Sequence, residues 1–448
     1  MDIKYLTQLL FHIVVGASMY FINIFPRIYF FIITAYFLGT IIMTSKSQKQ
    51  AAVLKACAYI VGVEVLFRMT NGAVFYEVSK YLVTVFVLLG MFYDGISNKA
   101  YPYFMFLILL VPSIVVASFS IGYDSNLRTN VAFVLSGPVC LGISAIYCYD
   151  KKISKKVLLN VLMYLALPII SLTTYLFLYS PSVKEVISGT QSNFAASGGF
   201  GPNQVATMLG LGMFVFCVNY FLNSKTLFLK TLNIILFGLV TFRGIITFSR
   251  GGVLTALLMI FVFLFFVYFK SSQKQKNTIL MSFLLLLMAS SLIWDISSNQ
   301  TEGLIVKRYN NQNKMGQEKE DISAGRVDLF LGELEGFINN PFLGVGASGM
   351  KELRLQTTGR GVVTHNELSR LLSEHGVLGI IILLILFLKP LDLRSQNRNN
   401  YFFYAFLVFW FATINHSAMR IAAPGFIYAL ALLTLKNEKH PLHRKRLI

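Results

Sequence analysis

Apolar runs follow one another along this chain, each long enough to cross a bilayer and separated by short polar breaks, and nothing else in the sequence constrains its fold as strongly. With 55% hydrophobic and 13% charged residues over 448 positions, and a mean hydropathy of +0.64, a water-soluble fold of this size is excluded. The pattern predicts an all-α, polytopic transmembrane helix bundle. About fourteen spans are expected, near 6–25, 27–43, 52–69, 79–94, 101–120, 130–149 and 157–179, then one starting at Asn203, one ending at Arg243 and one after Gly252, and finally near 278–295, 376–390, 401–417 and 421–435. The third is interrupted by Lys55, Glu64 and Arg68 and reads as partly interfacial, and the last contains Pro424; without these two the count is about twelve. The expected division is 1–295 for eleven spans, 296–372 for a long outer segment with short helices, and 373–448 for the last spans and a basic tail. The apolar run from Leu6 has no small-residue cleavage site and is taken as a span, not a leader.

A formal charge of +19 raises the question of nucleic acid. With both ends placed in the cytoplasm, 22 of the 39 lysines and arginines fall inside, against 5 of the 20 acids, so nearly all the excess positive charge sets topology and nucleic-acid binding is rejected. Cys57, Cys140, Cys148 and Cys217 all fall within spans and imply no disulfide framework.

The inner loops are rich in lysine, whereas the short outer loops and span ends carry Arg27, Arg68, Arg128, Arg243, Arg250 and Arg420. A planar guanidinium matches phosphate oxygens, so the outer face is suited to a phosphate-bearing ligand. Arg243 and Arg250, seven residues apart in Arg243-Gly244-Ile245-Ile246-Thr247-Phe248-Ser249-Arg250-Gly251-Gly252, share a face if that stretch is helical. An intramembrane Arg243 is either functional or paired, for instance with Glu64. In Ser197-Gly198-Gly199-Phe200-Gly201-Pro202-Asn203, the glycines permit close backbone approach to a ligand; a flexible hairpin is the plainer reading.

The outer segment 296–372 is long for a loop without a function. Its charged first part, Gln300 to Glu320, reads as mobile. An amphipathic helix follows, with Arg326 at its start, Val327, Phe330, Leu331, Leu334, Phe337 and Ile338 at helical spacing, and Asn339-Asn340-Pro341 as its stop. A second helix starts at Thr364-His365-Asn366-Glu367, where Thr364 and Glu367 have the spacing of a capping box. His365 then falls in the first turn, where the free N–H groups and the helix dipole keep an imidazole neutral, as a general base requires. The plainer reading is a polar histidine capping a loop helix.

No Asp-x-Asp pair or His/Glu ligand spacing is present on the outer face, so no metal or other cofactor is expected. No Walker loop or Gly-x-Ser-x-Gly elbow supports ATP-driven transport or acyl transfer.

Asn203 after its glycine-rich turn, Phe248-Ser249-Arg250-Gly251-Gly252, Gly325-Arg326, Asn340-Pro341-Phe342-Leu343-Gly344-Val345-Gly346, and His365-Asn366 followed by Gly376 and Gly379 together resemble the O-antigen ligase and polymerase superfamily, over roughly residues 188–388. The resemblance implies a GT-C type fold in the bacterial inner (cytoplasmic) membrane. It also implies metal-independent, inverting transfer of a glycan from undecaprenyl diphosphate to an acceptor hydroxyl at the periplasmic face. His365 would take the proton from the acceptor, while Arg250 and Arg326 would hold the diphosphate. Asn203 joins these as a substrate-binding candidate, and Asn366 would orient His365 or bind a sugar hydroxyl. Arg243, Arg128 and Arg420 are added from position alone. The leading expectation is an O-antigen ligase whose acceptor is lipid A core, as in lipopolysaccharide biosynthesis. The alternatives are a polymerase extending a lipid-linked repeat unit, a protein-directed oligosaccharyltransferase and, from another class, a polyprenyl-lipid transporter.

Overall fold

The computed structural model describes residues 2–121, 126–187, 189–319, 321, 323, 325–396 and 400–436. The basic tail beyond Lys436, with His440 and His443, and also Arg398, Asp124 and Ser125, lie outside the described residues. In chain order the helices are α1 (Asp2–Phe21), α2 (Phe25–Met43), α3 (Lys46–Met69), α4 (Val78–Asp94), α5 (Tyr101–Ser120), α6 (Leu127–Cys148), α7 (Lys155–Tyr179), α8 (Val183–Val186), α9 (Pro202–Leu222) and α10 (Leu227–Ile246). They continue with α11 (Arg250–Lys270), α12 (Gln273–Gln300), α13 (Leu304–Tyr309), α14 (Arg326–Asn339), α15 (Gly349–Thr358), α16 (Glu367–His375), α17 (Val377–Gln396), α18 (Phe403–His416) and α19 (Ala423–Ala431). The protein is an all-α polytopic membrane protein.

Each of the fourteen apolar stretches corresponds to a helix. Among the described residues, nine helices are long and apolar enough to cross a membrane: α2, α3, α5, α6, α7, α9, α10, α11 and α12. The remaining five, α1, α4, α17, α18 and α19, fall short of that standard in length or apolarity. Two-residue strands, β1 (Lys152–Ile153) and β2 (Thr434–Leu435), pair in parallel and tie the chain after α19 to the α6–α7 turn. Periodicity gave no sign of this ladder.

The third span corrects its expectation. Far from lying at the interface, α3 is a core helix, 83% buried across its apolar window (α9 reaches 89%) and packed against α7 and α4. Its charges are tolerated because they are paired: Arg68 meets Glu64 and approaches Glu77, which in turn holds Lys80. In contrast, α12 is only 11% buried and presents its leucines outward. Around α9 the bundle is tight, with α10 and α11 on its flanks and α18 behind α11. Gly252 makes the α9–α11 approach possible, since a Cβ there would lie 2.4 Å from the Ala206 carbonyl carbon.

Residues 301–366 carry the short helices α13, α14 and α15 at one end of the bundle. The expected amphipathic helix is α14, with the expected start and stop. The glycine-rich return after it is an anchor. Val345 N–H donates to Ser373 O and Ala347 N–H to Ser113 O, while Gly346, at φ +85°, rests on the Ala117 backbone of α5.

Candidate active site

The start of α16 differs from the sequence expectation. The N-cap is Asn366, whose side chain accepts from the N–H groups of Leu368 and Ser369, and no Thr364–Glu367 capping box forms. The Thr364 hydroxyl instead donates to Glu333 on α14 at 3.1 Å. The Glu367 carboxylate pairs with Arg370, which also holds Glu374 at 2.6 Å. Both expected capping side chains are therefore committed elsewhere, so the helix begins later and His365 precedes it, one residue before the cap.

His365 is held from two sides. Its carbonyl accepts from Ala418 N–H at 3.0 Å, and Arg420 donates to the carbonyls of Val363 and Thr364 at 3.3 and 3.0 Å. The Asn366 amide donates to Asn415 Oδ1 at 3.1 Å. On the other side Glu333, fully buried, accepts from Thr364 and Ser369 and pairs with Arg354 at 3.0 Å, which joins α14, α15 and α16. The imidazole Nδ1 is buried and meets no hydrogen-bond partner among the described residues. Burial, and then the charges of Arg420 and Arg326 and the nearby His416, push the ring down to about 3. The histidine is thus neutral at physiological pH, as expected. The cause is burial beside guanidinium groups and not a position in the first helical turn.

The turn between α10 and α11 separates two arginines that were expected on one helical face. Phe248 adopts φ +58° between the helices, so Arg243 ends one and Arg250 begins the next. Arg243 is fully buried, and its donors go to the Ser180 carbonyl and hydroxyl and to Ala196 O. This corrects its assignment to substrate and also its expected pairing with Glu64, whose carboxylate serves Arg68 and the Ala422 N–H. Arg250 turns the other way, toward Asn311 Oδ1 at 2.9 Å and the Arg308 carbonyl at 3.4 Å.

Arg250 is the centre of a cationic group. Arg308 is lowered by partial burial and by the charges of Arg250 and Arg326; Arg326 by partial burial and Arg250; and Lys319 by partial burial, Arg308 and Arg250. Among the described residues none of these four cations forms an ion pair with an acid. Arg326 links the group to His365, because its charge acts on both. Four cations gathered without counter-charge repel one another, and a bound anion relieves that repulsion.

The remaining candidates divide. The Asn203 side chain accepts from the Ser249 hydroxyl at 2.7 Å, so it positions the residue before Arg250. Arg420 lies beside His365 but acts mainly on the backbone that carries it. Arg128 is exposed at the start of α6 and, among the described residues, takes no part in the hydrogen bonds around His365. Arg68 is bound to Glu64, Gln204 and the Arg420 carbonyl.

Sequence reasoning missed Arg308, Lys319 and His416. The first two lie in the stretch read as mobile. His416 accepts or donates at 3.4 Å to Thr207, and its ring covers Gly251, where a Cβ would lie 2.4 Å from it. The paired glycines after Arg250 were a usable signal, one admitting the His416 ring and the other the α9 backbone. Among the described residues no group of three or more His, Cys, Asp or Glu is placed to hold a metal ion.

Among known proteins, the family model described as O-antigen ligase matches residues 234–384, from α10 into α17. None of the curated proteins compared matches the chain. The matched segment takes in Arg243, Arg250, Arg308, Lys319, Arg326, His365 and Asn366, and leaves Asn203, His416 and Arg420 to the flanking helices. Over this segment, about a third of its length, the chain is similar to the O-antigen ligase family.

Proposed function

We propose that the protein is an O-antigen ligase that transfers a glycan from undecaprenyl diphosphate to a hydroxyl of lipid A core, at the periplasmic face of the bacterial inner membrane. One observation carries this reading: a neutral, half-buried imidazole stands beside a group of cations that have no acidic partner among the described residues. A diphosphate is a competent leaving group once its developing charge is neutralised, and fixed guanidinium groups supply that neutralisation without a metal ion.

In the proposed step the acceptor oxygen attacks the anomeric carbon from the face opposite the diphosphate. The carbon–oxygen bond to the diphosphate breaks and its electron pair leaves with the phosphate. His365 takes the acceptor proton, and Arg250, Arg308, Lys319 and Arg326 hold the charge. Inversion at the anomeric carbon follows. A ring held near 3 is a weak base, but the donor's negative charge offsets the guanidinium groups and raises it toward the range where proton transfer is efficient.

The polymerase alternative requires two lipid diphosphates. Of the three outer arginines that a second site could use, Arg68 and Arg420 are committed to Glu64, Gln204 and backbone carbonyls, which leaves the exposed Arg128 alone and favours one diphosphate site and hence the ligase reading. Reconstitution in vesicles with lipid-linked glycan, chelator, and either lipid A core or a second lipid-linked unit tests it. Extension of lipid A core supports the ligase; extension only of the lipid-linked unit assigns a polymerase. A His365→Ala variant that transfers normally would remove the enzyme reading altogether.

A further inference from the structure

At the end of the bundle away from His365, the lower termini of five long helices converge. Lys155 begins α7, Tyr220 and Leu222 end α9, Lys230 is in the first turn of α10, Lys270 ends α11, and Gln275 lies in the first turn of α12. The other termini of these same helices carry Ser180, Pro202, Arg243, Arg250 and Gln300, at the end of the bundle where Arg250 lies. Between the converging termini lies a half-open cavity of about 350 Å³, also lined by Tyr401.

The lining of this cavity is unusual for a gap between membrane helices. Lys155, Lys230 and Lys270 all border it, and its described lining includes no aspartate or glutamate. The Lys155 ammonium lies 5.6 Å from the Tyr401 ring centre and that of Lys230 lies 5.9 Å from the Tyr220 ring centre, so aromatic faces steer two of the three charges to the cavity wall. The hydroxyl of Ser282, which accepts from the Tyr220 hydroxyl at 3.2 Å, adds a donor. Val267, Ile279 and Phe221 form an apolar wall. Ile279 carries that wall onto α12, where the partly exposed Phe283, one turn further, extends it along the same side, and α12 as a whole is only 11% buried. Ammonium point charges above an apolar groove match an amphiphile with a phosphate-bearing head.

We propose that this cavity binds the phosphate head group of an anionic membrane lipid, with its acyl chains laid along α12. The site is separate from the proposed donor site and does not depend on it. Bound there, the lipid bridges α7, α10, α11 and α12, and α12 otherwise has few buried contacts.

Native mass spectrometry of the purified full chain, delipidated and then titrated with phosphatidylglycerol, with phosphatidylcholine or with inorganic phosphate, tests the proposal. The expected result is one tightly retained phosphatidylglycerol, preferred over phosphatidylcholine by about tenfold or more. The preference should disappear in the Lys155→Gln/Lys230→Gln/Lys270→Gln variant and persist in Lys152→Gln, whose exposed lysine lies at the same end outside the cavity. The single variants Lys155→Gln and Lys230→Gln, each expected to weaken the preference, keep the test available if the triple variant does not fold. An unchanged preference in the lysine variants overturns the site, as does an equal loss in Lys152→Gln. Displacement of the lipid by millimolar inorganic phosphate would assign the cavity to a free anion and overturn the lipid.

Discussion

Arg420 donates to the carbonyl oxygen of Thr364 at 3.0 Å, one residue before His365, so the guanidinium that lies beside the imidazole also holds its backbone. Lysine preserves the charge but not the two-carbonyl fork. Arg420→Lys is therefore expected to lower the turnover of glycan transfer by on the order of a hundredfold while changing the donor KM little, since misplacing a reacting group costs about that much. Steady-state kinetics in proteoliposomes checks this; a purely raised KM would show that Arg420 binds donor directly.

The acid limb of the reaction should differ between free and donor-bound protein. In the free state His365 sits at about 3, so kcat/KM loses nothing to its protonation until well into acid. Donor diphosphate offsets the positive charges around the ring and raises it, so the limb of kcat is expected at higher pH than that of kcat/KM. Profiles measured over the acid range decide. Coincident limbs would mean that donor does not act on His365.

The same depression acts on stability. His365 has an ordinary value of 6.5 and a folded value of about 3, so the unfolded chain binds more protons between those limits. Folded stability should fall as pH drops through that window, and His365→Asn should flatten the fall. Melting temperature against pH in detergent is the measurement.

Two adjacent glycines should fail in different ways. At Gly252 a methyl group meets the Ala206 and Thr207 backbone, which cannot move aside, so Gly252→Ala is expected to cost about 1–3 kcal/mol of stability. At Gly251 it meets the His416 ring, a side chain that can shift at the expense of its contact with Thr207. Gly251→Ala should therefore lower transfer more than it lowers the melting temperature.

Arg243 and Arg308 should exchange the roles that their positions suggest. Arg243→Ala leaves Ser180 and Ala196 without buried donors and should destabilise the fold by about 1–3 kcal/mol, with the donor KM little changed in the protein that folds. Arg308→Ala removes one of four clustered cations and should raise the donor KM by about tenfold. Thermal melts and donor titrations separate the two.

Much of the architecture was legible because a membrane helix announces itself by length and apolarity, and α14 by periodicity, down to its start at Arg326 and its stop at Asn339. What was not legible depends on partners distant in sequence. Thr364 does not cap α16 because Glu333, 31 residues earlier, takes its hydroxyl. α3 looked too charged for a core helix because the partners of Arg68 and Glu64, among them Gln204 and the Ala422 N–H, lie far along the chain. Arg308 was hidden in a polar stretch whose composition resembles that of any solvated loop, and only its proximity to Arg250 marks it out.

The Glu64 carboxylate, near the C-terminal end of α3, accepts from the backbone N–H of Ala422 at 2.7 Å, two residues beyond Arg420 and four beyond Ala418. The short turn behind His365 is thus bolted to a deeply buried core helix, leaving it no slack with which to open for the glycan of the proposed reaction. Making room then falls to the opposite bank of the site, the partly exposed Asn310–Lys319 stretch that follows α13, and in the proposed reaction this stretch is where substrate length and shape would be sensed.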